Sequence, residues 1–171
     1  RSPLEAMLVA SLEPGAYTAQ VTSGSAGIAL VEVYDANTFL ADRRLINIST
    51  RGQAGPGDRA LIAGFVVAGN APRTVLIRAA GPALAAFDVF GFLSDPMLSV
   101  VDSAGRAIAT NDNWSDATNK ANATAAATSV GAFGLPESGK DSALLVTLAP
   151  GAYTAVVSGA GESTGVALVN D

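Results

Sequence analysis

The sequence of 171 residues contains no cysteine and no histidine. Without them the chain has no disulfide, no thiol nucleophile, no imidazole base and none of the usual zinc or haem ligands. A serine nucleophile would need a lysine or a terminal amine as its base, and the lysines, Lys120 and Lys140, lie in loop-like sequence. No pattern places two carboxylates across a cleft, although four are candidates for glycoside hydrolysis: Asp112, Asp116, Glu137 and Asp141. We therefore expect that this chain is not an enzyme.

Charge and long apolar runs are also scarce. Charged residues make up 15% of the chain, the net charge is −5, and the ten basic residues are scattered rather than clustered. An acidic protein without a basic patch is a poor candidate for binding nucleic acid or anionic membranes. No apolar run reaches the roughly 20 residues that a membrane-spanning helix needs. We predict no nucleic-acid partner and no membrane span.

A stretch near the amino terminus recurs near the carboxyl terminus. "LEPGAYTAQV" begins at Leu12 and "LAPGAYTAVV" at Leu148, and their first eight positions differ only at Glu13 and Ala149. Upstream, "SPLEAMLVAS" matches "SGKDSALLVT"; downstream, "GIALV" matches "GVALV" after a two-residue insertion in the second copy. The chain therefore holds one complete unit and an extra copy of that unit's last third.

Each copy has the pattern of a three-stranded meander. The alternation after Pro14-Gly15 puts Tyr17, Ala19 and Val21 on one face of a strand. The Pro-Gly pairs, at 14–15 and 150–151, are typical of turns. The predicted strands are 6–12, 15–22 and 27–34 in the first copy, and 142–148, 151–158 and 164–170 in the second.

Further elements are predicted between the two copies. The run at 59–69 is apolar on both faces, which predicts a central strand covered on both sides. Pro82 favours one helical turn after it, and residues 115–130 predict a short helix, with Ser115 as its N-cap, or a long ordered loop. The remaining predictions are a strand at 45–50, a glycine-rich turn at 51–58, a strand at 72–80 and a hairpin at 96–112 around "DSAG".

So many short strands joined by glycine and proline turns predict an all-β fold. The expected architecture is an antiparallel β-sandwich of jelly-roll or Greek-key type, with at most one or two short helices. We divide the chain into a partial repeat at 1–40 and a complete repeat at 41–171. The sequence leaves open whether the two pack together as one module.

Residues 96–169 resemble a known domain type. "LSVVDSAGRAIATNDN" and "DSALLVTLAPGAYTAVVSGAGESTGVALV" resemble the bacterial pre-peptidase C-terminal type of β-sandwich domain. The upstream "LINISTRG", "LIAGFVVAG" and "RTVLIRAAGPALAAF" look like a repeat found in tandem in large secreted bacterial surface proteins. These resemblances imply a non-catalytic accessory, adhesive or structural module, located outside the cell or at its surface.

The stretch "TNDNWSD" at 110–116 concentrates oxygen ligands. Calcium prefers carboxylate and amide oxygens at loop corners, but such clusters also cap turns through their own side chains. Both interpretations stay open, and in the related domains the matching loop can hold calcium. The candidate ligands are Asp102, Asn111, Asp112, Asn113 and Asp116.

Trp114 is the only tryptophan and lies among polar residues. One interpretation is a glycan-binding residue whose ring stacks on a sugar. The other is a ring packed on the edge of the sandwich with its indole N–H bonded. We carry Trp114 as a candidate ligand-binding residue.

The repeated third predicts self-assembly. A partial repeat cannot bury its own apolar face and needs a neighbour, and a junction between unlike surfaces builds an open chain of subunits. We expect a structural protein that joins head-to-tail into a fibre or surface array. The alternatives are an adhesin-like or carbohydrate-binding module and an accessory domain of a secreted hydrolase. The expected assembly interface is formed by Leu8, Leu12, Tyr17, Ala19, Val21, Ile28 and Leu30.

Overall fold

The computed structural model describes residues 6–22, 24–25, 27–35 and 47–170. The chain divides into two compact units, Arg1–Arg44 and Leu45–Asp171. The boundary that we predicted at residue 40 lies outside the described residues. No helix in the described ranges is long and apolar enough to cross a membrane.

The second unit is a β-sandwich, which confirms the predicted fold class. Two antiparallel sheets of four strands face each other, one in the order β1-β8-β3-β6 and the other in the order β2-β7-β4-β5. The strands are β1 (Ser49–Ala54), β2 (Leu61–Val67), β3 (Arg73–Ala80), β4 (Pro96–Asp102), β5 (Ala107–Asn111), β6 (Ser142–Leu148), β7 (Gly151–Gly159) and β8 (Gly165–Asn170).

The hairpin predicted at 96–112 is confirmed as β4 and β5. Its turn is made locally, because the Asp102 carboxylate accepts hydrogen bonds from the backbone N–H groups of Ala104 (2.9 Å) and Arg106 (3.0 Å). Gly105 supplies the left-handed conformation, with φ of 75°. The helical turn predicted at Pro82 is also present, as a 3₁₀ helix over Pro82–Phe87.

The meander predicted for residues 142–170 is wrong, although its three strands are present. β6 pairs with β3, β7 pairs with β2 and β4, and β8 pairs with β1 and β3, so successive strands change sheet. Pro150 lies between β6 and β7, and proline has a fixed φ and no N–H for a ladder. The Pro-Gly turn therefore carries the chain across the sandwich rather than back along one sheet.

Two strand predictions in the first half need correction. The run at 59–69 is not a central strand, because β2 lies at the edge of its sheet and the Ile62 and Val66 side chains are exposed. The strand predicted at 45–50 instead covers Ser49–Ala54. The first half of the predicted turn at 51–58 is therefore strand. The ladder with β8 decides this register, and ladder pairing is not visible in local composition.

The core lies between the sheets, and a smaller apolar cluster covers the outer side of one of them. Ile77 and Ala79 of β3 belong to the core. Ala80 belongs to the outer cluster, with Ala83 and Leu84 of the 3₁₀ helix and Phe133 beyond α1. Neighbouring residues of a strand point to opposite faces, so Arg78, between Ile77 and Ala79, lies on the outer side with that cluster.

The predicted short helix is present as α1 (Lys120–Ser129), but its N-cap is Asn119, not Ser115. A separate 3₁₀ turn covers Trp114–Asp116 and ends the first part of the predicted segment. The Asn119 amide donates to the Leu145 carbonyl oxygen over 3.0 Å. This bond ties the start of the helix to β6, a tertiary contact that capping statistics do not contain.

The first copy does not form the predicted strands. Residues 6–22, 24–25 and 27–35 contain no strand pairing, and all of them are exposed. The strands predicted at 6–12, 15–22 and 27–34 are therefore wrong for this chain as it stands. A strand needs a ladder partner, and the strands that pair with the second copy are β1 to β4.

Candidate functional site

The loop that follows β5 is held by its own side chains. The Asn111 amide donates to the Asn113 carbonyl oxygen (3.1 Å), and its oxygen accepts the N–H of Ala143 (2.9 Å). Asn113 donates weakly to Asp112 (3.4 Å), and Ser115 to Asp116 (3.3 Å). The structure thus supplies the turn-capping contacts that the Asn/Asp-rich sequence offered as one interpretation.

Asp102 does not belong with the other candidate calcium ligands. Leu98 is the residue of β4 that pairs with Asn111, and Asp102 lies four residues further along β4, a distance of about 13 Å in a strand. Its carboxylate is held by Arg106, at 2.7 Å from Nη2 and 3.0 Å from Nε. The backbone N–H and the guanidinium of Arg106 lower the pKa of Asp102.

No group of three or more acidic side chains converges on a metal-sized site within the described ranges. The four loop residues Asn111, Asp112, Asn113 and Asp116 stay together on one segment. Calcium binding by this loop remains a prediction. Of the four residues, Asn111 has both ends of its amide engaged.

Trp114 is a core residue, and the ligand-binding prediction for it is wrong. Its side chain is 8% exposed, and its indole N–H donates to the Pro136 carbonyl oxygen over 3.1 Å. Lys120 Nζ lies 5.0 Å from the ring centroid, within cation–π range. A ring covered on its faces cannot stack on a sugar, so the packing alternative is the one observed.

Asp141 joins several segments at the end of the sandwich. Its side chain is fully buried, and Oδ1 accepts the backbone N–H groups of Gly81 (2.8 Å) and Ala83 (3.0 Å). Its carbonyl oxygen accepts the backbone N–H of Trp114 over 2.8 Å. Burial raises the pKa of Asp141, and the hydrogen bonds and the Arg78 charge only partly oppose this shift.

Arg78 is a second buried charge, and the sequence reasoning missed it. It is 2% exposed, donates from Nη1 to the Phe133 carbonyl oxygen, and stacks on the Phe133 ring at 4.4 Å from the centroid. Burial lowers its pKa, whereas the Asp141 charge raises it. The sequence signal was available, because "VLIRAA" places one charge inside an apolar strand.

A pocket of about 310 Å³ opens beside Arg78. Its lining includes Asn170, which lies opposite Arg78 in the β3–β8 ladder, and Phe133. Arg78 Nε and Asn170 Oδ1 are buried and have no hydrogen-bond partner. At this position of the ladder, a hydrogen-bond donor on Arg78 and an acceptor on Asn170 are both unpaired.

The lysine and carboxylate candidates for catalysis are used in ion pairs or lie apart. Lys120 pairs with Glu137 over 3.1 Å, and Lys140 pairs with Asp95. Asp112 and Asp116 remain in the loop after β5, while Asp141 is buried beneath the 3₁₀ helix.

The seven residues predicted as an assembly interface are all exposed in the first unit. Leu8 is 88% exposed and Leu30 is 83% exposed. In the second copy, the counterparts of Ala19 and Val21 are Ala155 and Val157, which are fully buried. One sequence pattern therefore occurs twice in the chain, once in a core and once in solvent.

Both copies make the same local bond at the Pro-Gly corner. The Tyr17 hydroxyl donates to the Glu13 carbonyl oxygen (2.8 Å), and the Tyr153 hydroxyl donates to the Ala149 carbonyl oxygen (2.9 Å). The acceptor is a backbone oxygen in each case, so the Glu13/Ala149 difference does not affect it. The corner is set by local sequence and needs no sheet around it.

We expect Tyr153→Phe to lower the free energy of unfolding by about 1 kcal/mol, the usual net contribution of one hydrogen bond. Tyr17→Phe is the matched control and should change it by less than about 0.3 kcal/mol, because the same bond lies outside the cooperative core. Urea unfolding of the full chain, followed by circular dichroism, measures both. Equal losses in the two variants would contradict the distinction between the copies.

No protein-family model and no curated protein matches this chain. Among solved structures, it is similar to the 1.0 Å crystal structure of the pre-peptidase C-terminal domain of collagenase from Bacillus anthracis. The two chains share 12% sequence identity with a TM-score of 0.43, over 73% of this chain and 89% of that one. That domain type is the one that residues 96–169 resemble in sequence.

Proposed function

We propose that this chain is a non-catalytic, extracellular structural module that joins head-to-tail into a fibre or surface array, with residues 6–35 as the junction. The observation that carries the proposal is the set of exposed apolar residues in the first copy, whose second-copy counterparts are buried or half-buried in the core or the outer cluster. The sequence resemblance to secreted bacterial modules supports the extracellular location.

The energetic argument concerns apolar area in water. The first copy exposes Leu8, Leu12, Val21, Ile28 and Leu30, each more than half accessible. Burial of one such side chain is worth about 1.5–3 kcal/mol, and contiguous apolar exposure marks interaction surfaces. Association that covers these residues without exposing an equal apolar area elsewhere is therefore favoured over leaving them in solvent.

The carbohydrate-binding alternative has lost its sequence basis. It depended on Trp114 as a solvent-facing platform, and that side chain is buried and hydrogen-bonded.

We expect the full chain to form particles larger than a monomer as its concentration rises, and to lose them when residues 1–35 are deleted. Light scattering gives the mass, and electron microscopy shows whether the particles are regular fibres. Val21→Glu should also abolish assembly, because it places a charge in the surface to be buried.

Gln20→Glu is the matched control for Val21→Glu. Gln20 is the adjacent residue, and it lies on the opposite side of the alternating pattern, so its variant should assemble like the parent chain. A chain that stays monomeric at every concentration would overturn the proposal. Assembly of Val21→Glu equal to that of the parent would show that the junction lies elsewhere.

A further inference from the structure

We propose that residues 6–34 bind to a second copy of this chain by taking the place of its β6–β8. This inference rests on the proposed function and names the acceptor for the same junction. The acceptor surface is the set of strands that contact β6–β8, namely β1 to β4. We call this set the acceptor framework.

Three core-facing residues of β7 are unchanged in the first copy, whereas the buried Gly159 corresponds to Ser23. Tyr153, Ala155 and Val157 correspond to Tyr17, Ala19 and Val21. Tyr153 stacks on Phe65 of β2 with ring centroids 5.7 Å apart, and Ala155 and Val157 are fully buried. At these three positions the first copy keeps the volume of the same interior, whereas in β6 Met7 corresponds to Ala143, which is 4% exposed.

The main change in this strand falls on the outer side. Val156 lies between Ala155 and Val157 and is partly exposed, and its counterpart in the first copy is Gln20. Alternation puts this position on the opposite face. The substitution makes the outer face more polar and leaves the core-facing side intact, which is the pattern expected of a segment that still enters a core.

A glycine at the start of the third strand gives independent support. A Cβ on Gly165 would lie 2.5 Å from the Leu93 nitrogen and 2.6 Å from the Phe92 carbonyl carbon. Its counterpart Gly27 has no atom within 4 Å of the same Cβ position. Residue 165 must therefore be glycine, because the backbone of Phe92 and Leu93 leaves no room for a Cβ. The first copy also has glycine at this position, Gly27, although its own surroundings would accept a larger residue.

Charge also favours the exchange. Asn170 lies opposite Arg78 in the β3–β8 ladder, and Glu32 occupies the corresponding position of the first copy. Arg78 is 2% exposed, and its Nε has no partner. A carboxylate at this position can form a charge-assisted hydrogen bond with the buried guanidinium, whereas the Asn170 amide is neutral.

The resident β6–β8 normally holds the site because it is part of the same chain. Gly165→Val should weaken this occupant selectively, because the added side chain meets backbone atoms at Phe92 and Leu93. We expect the full-length Gly165→Val chain to keep its β-sheet circular dichroism and to at least double its mass in light scattering. The first copy of a neighbouring chain then fills the site.

Gly27→Val tests whether assembly depends on the insertion of residues 6–34 into the acceptor framework of a second chain. Alone it should leave the urea midpoint unchanged, since its surroundings are open. Combined with Gly165→Val it should abolish both assembly and sheet content, because neither copy then fits. Glu32→Gln in the Gly165→Val background should weaken assembly about tenfold, the effect of losing one charge-assisted bond. If the valine variants fail to fold, Gly165→Ala and Gly27→Ala replace them, because alanine adds only the Cβ. Gly165→Ala should then assemble, Gly27→Ala alone should behave like the parent chain, and the double variant should not assemble.

Three results would overturn the inference. They are a Gly165→Val chain and a Gly165→Ala chain that both fail to assemble at every concentration, an assembly that is unaffected by Gly27→Val, and a folded monomer whose stability depends on Gly27. The last would place the exchange within one chain rather than between copies. Failure here is distinct from failure of the proposed function. A parent chain that assembles through residues 1–35 regardless of Gly27 keeps the junction and loses only this acceptor.

Discussion

Trp114→Ala is expected to lower the free energy of unfolding by about 3–5 kcal/mol, the usual cost of truncating a buried aromatic residue. The side chain is 8% exposed, and its indole N–H bonds to the Pro136 carbonyl oxygen. Its removal leaves a cavity where the loop after β5 contacts the segment before β6, and the Pro136 carbonyl oxygen loses its hydrogen bond.

Trp114→Phe is the control that separates packing from the hydrogen bond. It keeps an aromatic ring and loses the N–H, so we expect a smaller loss, about 1–2 kcal/mol. Circular dichroism in urea is the appropriate readout, because the variants remove the only tryptophan fluorophore. A loss below about 1 kcal/mol for Trp114→Ala would mean that the ring is not part of the core.

The second large effect is expected at Asp141. Asp141→Ala removes the acceptor for two backbone N–H groups, those of Gly81 and Ala83. Each buried donor left without a partner costs about 1–3 kcal/mol, so we expect a loss of about 2–5 kcal/mol. Asp141→Asn retains Oδ1 as an acceptor and should lose clearly less. Equal losses in the two variants would contradict the role of Oδ1.

The same carboxyl group predicts a pH dependence with a definite sign. Burial raises the pKa of Asp141 in the folded protein above its ordinary value of 3.8, so the folded chain binds a proton that the unfolded chain has already released. Its contribution to stability is full below the unfolded pKa and is lost as the pH rises through the folded pKa. The stability difference between parent and Asp141→Asn should therefore shift in favour of the parent as the pH falls. An unchanged difference from neutral pH to about pH 4 would contradict the raised pKa.

Local features of this fold could be predicted from sequence, and non-local ones could not. The β4–β5 hairpin follows from hydrogen bonds of the Asp102 side chain to the backbone of Ala104 and Arg106 and from the conformation of Gly105, all within five consecutive residues. The sheet to which β6, β7 and β8 belong depends on partners far away in sequence, such as Leu61 opposite Val157 and Ser49 opposite Asn170. Alternation identified the buried side of β7 but carries no information about its neighbours.

The site residues show the same division. Polar residues around Trp114 suggested exposure, but the ring is buried and its indole N–H bonds to the carbonyl oxygen of Pro136, a residue beyond α1. Arg78 and Asp141 are 63 positions apart, as their numbering shows, and their electrostatic coupling exists only in the folded sandwich. An arginine inside an apolar strand is a usable sequence signal of a buried charge. For this chain it was a better guide to a buried polar site than the Asn/Asp-rich loop.

Counting strands gives one more consequence of the duplication. Each chain carries one acceptor framework and two segments with the sequence of β6–β8. Any population of identical chains therefore has two such segments for every acceptor framework. Exchange changes which segment pairs with the framework, but the number of unpaired segments stays the same. Under the exchange that we propose, an assembly of this chain alone leaves one segment per subunit without a framework, and only a polypeptide that supplies further β1–β4 strands can pair with it.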